Sequence, residues 1–358
     1  MNVGLRRTIV VAAAAGAAWA AGSPGRAADA NRPPTPALFP SAACMVTVDR
    51  SADPVFHVEY DVPFDDVDRS PDEVADGRTH QFFAFARQFR TPPPNWITWD
   101  DVMRAEAAPA TDPTDVTDED VLETSSAWPA TEWLRITPDD ARLPITKAQA
   151  AMGVDWDTTG VPAGTYVVAA YTFDPVLNLW SPRPGVVRVL DDADAPDAPP
   201  ALALTSATPS GVVEAGEEVQ VHGCVAAMEG STVRLAAAYL AGAAEPTWIE
   251  FDPQPAGPEG DAVFSFVVPE PPESSGQLVV RATVEDPMGR TYVAYLPGAV
   301  DVVGGGGGST SGAADDDGGG EGCACHAGLP RGGWAGLVWC VLPWLARRRK
   351  RVPAPAAC

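Results

Sequence analysis

The sequence predicts an all-β chain built as two β-sandwich modules in tandem. Three observations carry this. Thirty-seven prolines and 33 glycines in 358 residues interrupt long helices and supply turns. Apolar and polar residues alternate along short runs, as half-buried strands require. One strand–turn–strand unit occurs twice, as AGTYVVAAYTFDPVLNLWSPRPGVVRVLDD (Ala163–Asp192) and SGQLVVRATVEDPMGRTYVAYLPGAVDVV (Ser275–Val303). Asp174-Pro175 and Asp286-Pro287 align, proline presets φ for the turn, and Asn178 or Gly289 takes a left-handed position nearby. Two diverged copies of one module, each closing on a hairpin, explain the repeat most simply.

Taken in order, residues 1–30 form a secretory signal peptide. Arg6 and Arg7 supply its charge, Thr8–Ala21 its apolar stretch, and Ala28-Asp29-Ala30 the small residues for cleavage. Export implies an oxidising compartment. Module one covers 31–192. CMVTVDR opens it, and in PVFHVEYDV the even-numbered Phe56, Val58, Tyr60 and Val62 make an apolar face. His80–Phe89 is a further strand. The stretch 90–133 exceeds what a plain sandwich needs and reads as a long loop excursion, with a short helix near Trp99–Ala107. Long loops on a rigid sandwich are where binding and catalysis concentrate.

Module two covers 193–303, after the acidic linker DDADAPDAPP. In GEEVQVHGCVA, Val219 and Val221 point inward and Gln220 and His222 outward. DAVFSFVVP and QLVVRATVED repeat the pattern. Residues 304–322 hold nothing that could form a core and read as a flexible tether about 24 Å from end to end. Residues 323–351 combine Cys323-Ala-Cys325-His326, the apolar run Trp334–Ala346 and the basic cluster Arg347–Arg351; a short tail, 352–358, follows. As a helix, Gly332–Ala346 measures about 22 Å, short of a hydrocarbon core of about 30 Å. That suits a transmembrane helix held only until cleavage.

This C-terminal order resembles the myxobacterial C-terminal sorting signal, MYXO-CTERM. The residues that carry the resemblance are Gly318–Gly322, Cys323 with Cys325, Trp334–Ala346 and Arg347–Arg351. It implies export, membrane association through the C-terminal segment before processing, and cleavage or attachment at Cys323 or Cys325. It also implies display at the outer membrane and cell surface. Signal peptidase and a sorting protease are then the partners in export. A second stretch, VDWDTTGVPAGTY (Val154–Tyr166), resembles bacterial surface immunoglobulin-like and fibronectin type III-like modules. That resemblance implies an immunoglobulin-like sandwich in which Tyr166 bonds a loop backbone through its hydroxyl.

Charge and motifs limit the function. Nine of the 24 basic residues lie within 1–30 and 323–358, leaving 15 for the rest of the chain. Of the 48 acidic residues only Asp29 lies in those segments. So acidic a body repels nucleic acid and anionic membranes. Cys323, Cys325 and His326 are too few ligands for a closed zinc site, and the sorting-signal reading absorbs them. Cys44 and Cys224 fall in different modules, and either a disulfide or buried free thiols fits them. Calcium is the candidate cofactor, with carboxylates at Asp112, Asp115, Asp118 and Asp120 and in the linker at Asp191, Asp192 and Asp194. Neither cluster has the DxDxDG spacing of a calcium loop. Trp96, Trp99, Trp128 and Trp133 flank the excursion and could stack on a ligand or pin the loop down. Nucleophile-elbow, zinc-protease and phosphate-loop motifs are absent. His57, His80 and His222 read as surface residues. The expected function is a non-catalytic surface protein for binding, adhesion or envelope structure. The alternative is an extracellular hydrolase or accessory protein that works through the excursion.

Overall fold

The computed structural model describes residues 34–68, 77–90, 93–108, 112–175, 178–240 and 246–304. Several expectations lie outside the described residues: the signal peptide with Ala28 and Ala30, residues 305–322 of the tether, Cys323 and Cys325, the apolar run, the basic cluster and the tail. The described chain is mostly β-strand, arranged in two sheet-rich bodies within one compact unit. No described helix is long and apolar enough to cross a membrane.

Body one contains, in order, β1 (Met45–Asp49), β2 (Val55–Val58), β3 (Thr79–Phe85), α1 (Trp99–Glu106), β4 (Trp133–Arg135), β5 (Leu143–Pro144), α2 (Lys147–Ala150), β6 (Val154–Asp157), β7 (Gly164–Phe173), β8 (Leu179–Pro182) and β9 (Val186–Leu190). Its main sheet runs β1-β9-β7-β3-β4, with β5 beside β3 and β8 beside β7. β1 pairs parallel with β9. β2 and β6 make a separate antiparallel ribbon. The alternation in PVFHVEYDV is real: Val58, Tyr60 and Val62 are buried, and His57, Glu59 and Asp61 are exposed. With Trp156 they meet Phe82, Ala84, Val168 and Ala170 of the main sheet in one core.

β3 and β7 do not alternate. Both are buried along nearly their whole length, because both sheet faces are covered. Phe82 and Ala84 face the ribbon, while Phe83, Phe85, Ala169, Tyr171 and Phe173 enter a second core on the opposite face.

Body two contains β10 (Ala201–Thr208), β11 (Val212–Glu214), β12 (Glu218–Ala226), β13 (Thr232–Tyr239), β14 (Ile249–Glu250), β15 (Gln254–Pro255), β16 (Gly260–Val267), β17 (Ser275–Glu285), β18 (Thr291–Tyr295) and β19 (Val300–Val303). The sheet β10-β12-β16 packs on the sheet β11-β19-β17-β13-β14, in which β15 joins β13 and β18 joins β17. Val219, Val221, Phe264 and Phe266 fill the core against Leu235, Leu278, Val280 and Ala282. Only one face of β17 is buried, and here the alternation is complete.

The internal repeat is a repeat of topology. In each body one long strand, β7 or β17, pairs with two short partners in line. Its first half meets β9 or β19, and its second half meets β8 or β18. The expected single hairpin is therefore a return strand broken in two. In each body an early strand also pairs parallel with the last one. Tyr166 donates its hydroxyl to the Pro162 carbonyl at 2.8 Å and packs edge-on against Trp156. Body two has Leu278 at the matching place. There Tyr239, from β13, ties the loop by donating to the Pro269 carbonyl at 2.6 Å.

Candidate functional site

The excursion folds down onto the outer face of the main sheet. Thr98 caps α1 by accepting from the Asp101 N–H at 3.2 Å, and Asp100 and Asp101 occupy the first turn, where the helix dipole favours negative charge. Val102 and Ala105 face the sheet. Leu122 N–H donates to the Trp96 carbonyl at 2.6 Å and Glu123 N–H to that of Ile97 at 3.1 Å, closing the two arms on each other. Trp96, Trp128 and Trp133 are 9%, 6% and 7% exposed and pack with Phe83 and Phe85. Burial leaves these three no open face for a stacking ligand; they pin the excursion instead. Trp99 is different, at 38% exposed on α1. Arg87 lies over the Trp128 ring at 3.9 Å and pairs with Glu132 at 2.8 Å.

A buried ion pair sits beneath this layer. Arg142 pairs with Asp101, whose side chain is fully buried, and its guanidinium lies 4.9 Å from the Phe173 ring centre. Burial is the largest single influence and would lower the Arg142 pKa; the charge and hydrogen bond of Asp101, together with Tyr171 and Asp139, outweigh it and raise it. Burial likewise pushes the Tyr171 hydroxyl well above its ordinary pKa. These groups hold α1 to the sheet. Nothing about them is open to a substrate.

A second polar cluster involves His80, expected at the surface but completely buried. Its Nε2 lies 3.0 Å from the Thr35 carbonyl, which also accepts from Thr172 at 2.9 Å. Arg78 reaches both Asp66 and Asp174 at 3.4 Å. Asp174 belongs to the repeated Asp-Pro turn.

In the acidic clusters, Asp112, Asp120, Asp191 and Asp192 have partners. Asp112 accepts from the Thr114 hydroxyl at 2.8 Å. Asp120 accepts from the Thr117 N–H and hydroxyl, both at 2.8 Å. Asp118 opens the 3₁₀ turn Asp118–Asp120, and Asp115 and Asp118 face solvent. Asp191 pairs with Arg50, and Asp192 accepts from the Asp194 N–H at 2.9 Å. Among the described residues no three His, Cys, Asp or Glu side chains gather as a metal site.

A shallow hollow of about 530 Å³ lies over the β2–β6 ribbon, bordered by Leu38, Phe39, His57, Glu59, Tyr60 and Gly153. His57 Nδ1 is 2.7 Å from Asp155 Oδ1. Such a pair orients an imidazole, and Glu59, Tyr60 and Asp61 border the same hollow.

The most built-up feature is the junction of the two bodies. Cys44, just before β1, forms a disulfide with Cys224 of β12, with the Cα atoms 6.0 Å apart across a sequence separation of 180. Val167, Val186 and Ala203 surround it, with Met45 and Phe89 at the margin. Two glycines make the approach feasible. Gly185 has φ +73°, and a Cβ there would lie 2.5 Å from the Cys44 carbonyl; one on Gly223 would lie 2.0 Å from that of Ala203. On the linker side, Arg290 donates to the carbonyls of Asp197 at 2.7 Å and Ala198 at 3.1 Å. Asp286 of the other Asp-Pro turn holds Arg290 at 2.7 Å. Burial works against the Asp286 charge, but the Arg290 N–H and guanidinium and the Met288 N–H outweigh it and keep its pKa low. Tyr295 N–H donates to the Gln88 side chain at 2.9 Å across the same junction. The repeat marked Asp286 in the sequence; nothing there marked Arg290 as its partner or Gln88 as the partner of Tyr295. No family model and no curated protein matches the chain.

Proposed function

We propose that the protein is an exported, non-catalytic surface protein whose two bodies form a single rigid presenting unit for binding, adhesion or envelope structure. The Cys44–Cys224 disulfide carries this reading, because such bonds persist in oxidising compartments. Several features support the finer reading of each body as an immunoglobulin-like sandwich. They are the parallel pairing of an early strand with the last in both bodies, the two packed sheets of body two, and in body one the Tyr166 hydroxyl on a loop carbonyl. On this reading the C-terminal segment is the address, and Cys323 or Cys325 the processing point. Protease shaving of intact producing cells tests display. Release of peptides from 34–304, with a native C-terminus near Cys323 by mass spectrometry, is the expected result. Recovery only from the cell interior, intact through Cys358, would sink the proposal. A glycan and surface-protein binding screen with the displayed protein then addresses the ligand.

A further inference from the structure

The sheet β10-β12-β16 ends at β16, which among the described residues has one strand neighbour, β12. An unpaired edge of eight residues is a template for strand addition. Its centre is already occupied. Gln254, on β15 of the opposite sheet, reaches across the sandwich to Ser265. Its Nε2 donates to the Ser265 carbonyl at 2.8 Å, and its Oε1 accepts from the Ser265 N–H at 3.2 Å. One carboxamide thus makes the donor–acceptor pair that a neighbouring strand's peptide groups would make.

These bonds also establish which way the edge faces. The Ser265 N–H and C=O point away from β12, so Gln220 and Ser265 are a non-hydrogen-bonded pair. Antiparallel alternation then turns the backbone groups of Asp261, Val263 and Val267 the same way. The Val263 and Val267 side chains are 55% and 56% exposed. Among the described residues the edge therefore offers correctly spaced backbone groups and two apolar side chains, interrupted at Ser265.

We infer that Gln254 is a strand mimic that closes the β16 edge against pairing with the same edge of a second copy of this chain. The copy is the occupant that fits. Two β16 strands run antiparallel about a two-fold axis are self-complementary. With Val263 opposite Ser265, Asp261 falls opposite Val267 and not opposite its own charge. Val263 then also lies diagonal to the valines of the other strand.

The test is the oligomeric state by sedimentation at matched concentrations. Gln254→Ala removes the mimic, and Gln254→Glu keeps its size but cannot donate to the Ser265 carbonyl. Both are expected to dimerise at least tenfold more tightly than the parent. Adding Val263→Lys to either should restore the parent's behaviour, since an edge lysine blocks strand pairing. Folded variants that associate no more than the parent would overturn the inference, as would association that survives Val263→Lys. Hydrogen exchange on the unaltered protein is independent of any variant. The Ser265 amide should exchange at least tenfold more slowly than those of Val263 and Val267, and equal rates would overturn the inference.

Discussion

His80 lies against Tyr60 and Phe82, with ring centres at 6.0 and 6.4 Å. Burial lowers its pKa, although the Thr35 carbonyl and the Asp66 charge both work to raise it. A depressed histidine binds its proton more readily in the unfolded chain. Stability is therefore full above about pH 6.5 and falls as the pH drops from there through the folded-state pKa. Urea unfolding at pH 7.5, 6.0 and 5.0 should show this decline, and His80→Gln should flatten it. A parent curve that is flat over this range would refute the assignment. Asp286 makes the second residue-scale case, as its side chain is fully buried and receives two N–H groups and a guanidinium. Asp286→Ala should cost about 2–3 kcal/mol by denaturant unfolding, the scale of charge-assisted hydrogen bonds lost from a buried site. It should also free Arg290 from the linker. These roles were only half legible. The Asp-Pro repeat pointed to Asp286, but an alternating strand pattern does not say which polar residue will be covered, as His80 shows.

At the scale of elements, the excursion over 93–133 is the informative case. Its helix was legible from composition, and α1 (Trp99–Glu106) forms where expected. Its destination was also written in the sequence, though in β7 rather than in the excursion. GTYVVAAYTF is apolar almost without alternation, which calls for cover on both faces. The corresponding strand of body two, SGQLVVRATVE, alternates and is covered on one face. If the excursion is cover, its tryptophans contribute stability. Trp128, edge-on to Phe85 and Phe89 at 5.2 and 5.5 Å, should cost about 3–5 kcal/mol on replacement by alanine. Calorimetry of Trp128→Ala checks this, and a loss below about 1 kcal/mol would mean the excursion is only loosely attached.

At the scale of the whole molecule, the disulfide joins two bodies that a simple tandem reading treats as independent. Closing so long a loop stabilises by up to about 5 kcal/mol in the chain-entropy view. Without it, the junction keeps Arg290 on the linker and the apolar contacts around Val167, Val186 and Ala203. Cys44→Ser with Cys224→Ser should therefore lower the unfolding free energy and split one transition into two. Two-probe denaturation checks this. A single, unshifted transition would mean that the noncovalent junction suffices.

By itself the sequence determined the all-β character, many of the strands, the short helix, the repeated Asp-Pro unit and the excess of body one, because these rest on local periodicity and turn chemistry. Only the tertiary structure decided that Cys44 meets Cys224, that three of the four tryptophans are buried, and that the acidic loops cap themselves. It also decided that Gln254 closes an edge. The disulfide, the tryptophan packing and the Gln254 contact depend on residues apart in sequence reaching within a few ångströms of one another, and the acidic loops on turns that bring Asp112, Asp120 and Asp192 onto groups two or three residues away. Pattern along the chain shows what a residue can do; the partner opposite it decides what it does.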